Sequence, residues 1–128
     1  MSALLLCAAI TAPSATAAST VSTPHQSTCS LVGSGDDAML YCDTRGGAEV
    51  LDAYQGTQQL AGTMREGLHA FPCWEVGNQH EGGDIWYLGR LDDRPEGSNG
   101  GALGWGYVTS TDVLAPAHPF PGLRRCSG

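Results

Sequence analysis

Apolar and polar residues alternate along this chain in short bursts, and glycine or proline interrupts them every few positions. A period of two puts successive side chains on opposite faces of an extended strand. The clearest bursts are residues 84–91 (DIWYLGRL) and 102–109 (ALGWGYVT), joined by the polar turn 92–101. In the second burst Leu103, Trp105 and Tyr107 share one face, and Gly104, Gly106 and Val108 share the other. Residues 38–43, 49–54 and 67–76 are predicted as further strands. In the last of these Leu68, Ala70, Trp74 and Val76 fall on one side, against His69, Phe71, Cys73 and Glu75. Pro72 cannot donate to a ladder, so that strand is expected to lie at an edge or to bulge there.

Helical periodicity is weak. Its best stretch, residues 57–66, is short and broken by Gly62, and residues 56–62 read instead as a polar loop. Residues 110–112 suit a single 3₁₀ turn, and Val113 with Leu114 begins a last strand that Pro116 stops. Short strands between turn signals predict an all-β domain. The core expected from the pattern is Leu51, Leu68, Ala70, Ile85, Leu88, Leu91, Val108, Val113 and Leu114, with Val50 at its margin.

The N-terminus changes the picture. Residues 1–17 hold an apolar run and end in Ala15-Thr16-Ala17, a small-residue pattern that suits cleavage of a secretory signal peptide after Ala17. A polar, small-residue lead-in follows, so residues 18–37 are read as flexible lead-in plus a first cysteine hairpin. The domain proper then spans 38–115, and 116–128 forms an extended, proline-rich tail.

After such cleavage the cysteines are Cys29, Cys42, Cys73 and Cys126, which suits two disulfides with three possible connectivities. The turn chemistry of GSGDD between Cys29 and Cys42 favours that pair across a hairpin. Cys73–Cys126 would then clasp the tail. A four-cysteine zinc site would need C-x-x-C pairs, which the chain lacks, and no metal or other cofactor is expected. The location expected is extracellular.

The formal net charge is −7, and all six basic residues are arginines. An acidic surface disfavours nucleic acid and anionic lipid as partners, and the apolar leader is too short for stable membrane insertion. Arg124-Arg125 is the lone basic cluster.

The order of elements from Glu49 to Leu114 resembles the bacterial SH3-like (SH3b) family. The matching pieces are EVLDAY, Gly56-Thr57, REGLHAFPCWEV, IWYLGRL and the closing GYVTSTDVL, about half the chain. The resemblance implies a small barrel of five to six short strands, often exported, that recognises a peptide or cell-wall peptidoglycan.

Aromatic placement suggests where. If Val108 is core, Trp105 and Tyr107 face outward, and with Tyr54 they form the expected ligand surface. Trp86 is read as structural. His69 is read as solvated, and His80, beside Glu81 and Asp84, as a loop residue rather than a metal or acid–base centre. No G-x-S-x-G or phosphate-loop motif occurs, and no catalytic residue is assigned. The reading is therefore a secreted, non-catalytic binding module. The alternative is a secreted inhibitor or effector that binds another protein through the HEGGD or DDRPEGSNGG loop.

Overall fold

The computed structural model describes residues 29–96 and 104–128, so the leader and most of the lead-in lie outside the described residues. The chain is all-β there, with eight short strands rather than five or six. They are β1 (Ser30–Val32), β2 (Met39–Thr44), β3 (Ala48–Leu51), β4 (Leu60–Met64), β5 (Gly67–Phe71), β6 (Trp74–His80), β7 (Gly83–Arg90) and β8 (Trp105–Thr109). A 3₁₀ turn at Ser110–Asp112 follows β8, as its polar composition predicts. No helix among the described residues is long and apolar enough to cross a membrane.

Two antiparallel sheets form, one of three strands in the order β1-β2-β5 and one of five in the order β4-β3-β8-β7-β6. Pro72 falls between β5 and β6. Having no N–H, it ends pairing with β2, and the chain enters the second sheet at Trp74. One run of sequence thus serves both sheets.

The core lies between the sheets. Leu40, Cys42, Phe71 and Thr44 enter it from the first, and Ala48, Val50, Ala61, Met64, Tyr87 and Val108 from the second. Val113 and Leu123 close it from the segment after β8. Val108 and Val113 are buried as expected and Val50, expected at the margin, is fully buried, whereas Leu51, Ala70, Ile85, Leu88, Leu91 and Leu114 are only partly buried and Leu68 is 59% exposed.

The face of β5 is therefore the reverse of the one expected. The register pairs Leu40 with Phe71 and Cys42 with His69, so the His69 side points inward. His69 and Glu75 are polar residues on a core-facing side, and each has a partner distant in sequence that periodicity cannot reveal. His69 Nε2 bonds Asp92 Oδ2 at 2.7 Å. Arg125 Nε donates to Glu75 Oε1 at 3.0 Å, and Glu75 is only 2% exposed.

β4 is absent from the expected elements because Leu60-Ala61-Gly62-Thr63-Met64 holds few strand-favouring residues. Gly62 is required there. A Cβ would strike the Asp93 carbonyl, which accepts the Thr63 N–H at 2.8 Å.

Both disulfides form with the favoured pairing, Cys29–Cys42 and Cys73–Cys126. The tail is more than tethered. Trp74 N–H donates to Arg124 O at 3.2 Å and Cys126 N–H to Trp74 O at 2.8 Å, so it lies alongside the start of β6. Trp74 Nε1 donates to Leu123 O at 2.8 Å. The Tyr87 hydroxyl shares a hydrogen bond with His118 Nδ1 at 2.8 Å and accepts the Phe120 N–H at 3.0 Å. Burial, opposed by that N–H, pushes the Tyr87 hydroxyl up to about 12. Arg125 faces Glu75 and its guanidinium lies 5.6 Å from the centre of the Trp74 ring, so Arg124-Arg125 is not a free basic patch.

Candidate functional site

Val108 is fully buried, and the opposite face of β8 turns Trp105 and Tyr107 toward solvent, each partly buried. The register places Arg90 beside Trp105, and Leu88 and Leu51 beside Tyr107, on that same face. Tyr54 follows β3 and packs edge-on against Tyr107, with ring centres 4.9 Å apart.

The backbone fixes Tyr54. Asn78 N–H donates to Tyr54 O at 2.7 Å, and a Cβ on Gly77 would occupy the position of that carbonyl oxygen. The absence of a side chain at Gly77 lets the loop after β3 close onto β6. Burial raises the Tyr107 hydroxyl pKa, and Tyr54 and Glu75 add to the rise, so the phenol is neutral around pH 7. The three expected aromatics thus lie on one sheet face, Tyr54 touching Tyr107 and Trp105 two residues along.

Beyond Trp105 the face opens into a groove. Leu88 N–H donates to Cys73 O at 3.0 Å. Past that bond β5 pairs only with β2, while β7 pairs with β8, so the strands part. The gap, about 470 Å³, is lined by Leu68, His69 and Ala70 from one side, by Arg90, Leu91 and Asp92 from the other, and by Trp105. Leu68, expected in the core, is part of its apolar wall. Arg90 lies 5.8 Å from the centre of the Trp105 ring, within cation–π reach. The sequence reading did not single out Leu68 or Arg90 for this site. Arg90 carried no local signal, because Leu88, two residues before it on the same face, is expected in the core from the sequence pattern.

His69 is not solvated. Its ring spans the gap, with Nδ1 2.9 Å from Thr44 Oγ1 and Nε2 2.7 Å from Asp92 Oδ2. This hydroxyl–imidazole–carboxylate row has the residue types of a nucleophilic relay. Thr44 is, however, fully buried, and its hydroxyl also faces Arg65 O at 3.1 Å, so the row ties β2, β5 and the end of β7 together. Burial raises the Asp92 pKa, but the Arg65 N–H and His69 outweigh it and hold the carboxyl below its ordinary value. Its negative charge is thus engaged from within the protein.

At the opposite end of β7, His80 accepts the Gly82 N–H on Nδ1 at 3.2 Å and directs Nε2 at Ile85 O at 2.9 Å. Both ring nitrogens are occupied in a tight hairpin, and among the described residues no three His, Cys, Asp or Glu side chains gather as metal ligands do. Trp86 is 2% exposed, as its structural reading requires.

The acid response of the fold follows from Asp92 and Glu75. At Glu75 burial raises the pKa, but hydrogen bonds from Ser127 and Arg125 prevail and lower it. For both groups the folded pKa lies below the ordinary carboxyl value, 3.8 for Asp92 and 4.5 for Glu75. The stability they confer is complete above those values and is lost as pH falls through the folded ones. Urea midpoints should therefore drop below about pH 4.5. The pair Glu75→Gln and Asp92→Asn should lower the neutral midpoint and flatten the acid drop; an unchanged acid slope would contradict this.

No family model matches the chain, and no curated protein or solved structure shows significant similarity to it.

Proposed function

We propose that this chain is an exported, non-catalytic binding module of SH3-like architecture that docks the peptide moiety of cell-wall peptidoglycan. The observation that carries the reading is the half-buried row Tyr54, Tyr107 and Trp105 leading into a groove walled by Leu68 and Arg90. Flat rings that keep one face open beside a shallow apolar notch suit extended chains.

The fold supports the architecture. A strand that bends at Pro72 to serve two sheets is followed by the hairpin of β6 and β7 and by a last strand that runs into a 3₁₀ turn. Two disulfides support export, because such bonds persist in oxidising compartments.

The test is retention on insoluble peptidoglycan. Wild-type protein should sediment with the polymer, and Trp105→Ala should remain in the supernatant with an unchanged far-UV spectrum. Val32→Ser, on the exposed edge strand β1, should sediment as wild type does. No retention of wild type, or equal retention of Trp105→Ala, would overturn the reading.

A further inference from the structure

Arg90 is set apart from the other arginines whose contacts are defined. Arg45, Arg65 and Arg125 each face an acidic side chain. Arg90 is exposed, borders the groove and has the Trp105 ring as its neighbour. The nearest acid lining the same groove, Asp92, already accepts from the Arg65 N–H at 2.8 Å and contacts His69. The groove therefore presents an arginine with no ion-pair partner among the described residues, in a chain whose net charge is −7.

A guanidinium is a planar fork that meets a carboxylate with two parallel hydrogen bonds. A cation–π contact with the indole attracts the guanidinium without consuming its N–H groups, which stay available to an anion. The gap is of small-ligand size, about 470 Å³, which suits a few residues of extended chain and not the broad face of a folded protein. The surrounding acidic surface repels anions, so an anionic group gains only where Arg90 reverses the local sign.

We propose that the groove selects its ligand by a free carboxylate on a short wall peptide, which Arg90 pairs while the adjoining chain lies on Trp105 and Leu68. This rests on the groove being the peptide site and adds the chemical group it reads.

The experiment compares wild type, Arg90→Gln, Arg90→Lys and Trp105→Ala on insoluble peptidoglycan, native and after carbodiimide amidation of its carboxyl groups. Amidation should weaken wild-type binding by about tenfold to a hundredfold, the range for hydrogen bonds to charged groups. Arg90→Gln should lose a similar factor on native polymer and nothing further on amidated polymer. Arg90→Lys, which keeps the charge but not the fork, should fall between. Because Arg90 is exposed, thermal melts should be unchanged. If wild-type binding survives amidation, or Arg90→Gln binds native polymer as tightly as wild type, the carboxylate inference is wrong. Trp105→Ala separates the two ideas, since its failure to bind in that case leaves peptide docking intact. If wild type binds neither polymer, both fall.

Discussion

Removing the Cys73–Cys126 bridge by Cys73→Ala with Cys126→Ala should cost about 4 kcal/mol, the loop-closure value for a link of this span in the chain-entropy model. The cysteines lie 53 residues apart, against 13 for Cys29–Cys42, for which about 3 kcal/mol is expected. The longer link also holds a docked segment. Leu123 is buried, Trp74 bonds Leu123 O and Arg124 O, and Arg125 is the partner of buried Glu75. Freeing the tail therefore exposes Glu75 and the start of β6, and a small domain has only about 5–15 kcal/mol in total. Urea unfolding of the double variant should show the larger midpoint shift of the two bridges. Equal shifts would mean that the tail docks without help from its link.

Phe71→Ala is the second large effect. Phe71 is fully buried where the chain leaves one sheet for the other, and its ring centre lies 5.7 Å from that of Tyr87. A Cβ on Gly89 would lie only 2.9 Å from the Phe71 ring, so β7 is packed closely against it. Truncation removes apolar contact from both sheets and leaves a cavity that neither can collapse into independently. A loss of about 3–5 kcal/mol is expected, the usual range for a buried phenylalanine. Leu68→Ala, three residues earlier but largely exposed, should change the unfolding free energy by less than about 0.5 kcal/mol. Comparable losses at both positions would contradict the assigned faces of β5.

That contrast shows which features can be read from sequence. Alternation and turn chemistry locate the strands around Trp105 and Trp86, the 3₁₀ turn and the Cys29–Cys42 pair, because each is a local signal, and Cys73–Cys126 is what then remains. Alternation fails at β5 and at the start of β6 because the inward side carries His69 and Glu75, whose partners Asp92 and Arg125 lie 23 and 50 residues away. It fails at β4 because Gly62 is chosen by the approach of the Asp93 carbonyl, a tertiary event. The aromatic row was legible, since burial of Val108 fixes where Trp105 and Tyr107 point. The groove beside it was not, because it arises where β5 and β7 part from the contact between Cys73 and Leu88.

The most direct test of the aromatic surface is a titration of isotope-labelled protein with soluble peptidoglycan fragments, followed by amide and indole NMR. The Trp105 indole N–H and the amides of Leu68, Arg90 and Tyr107 should shift together and saturate. Shifts gathered instead at the hairpin around Gly82 or along the tail near Phe120, with the Trp105 indole unmoved, would place the ligand elsewhere and contradict the account.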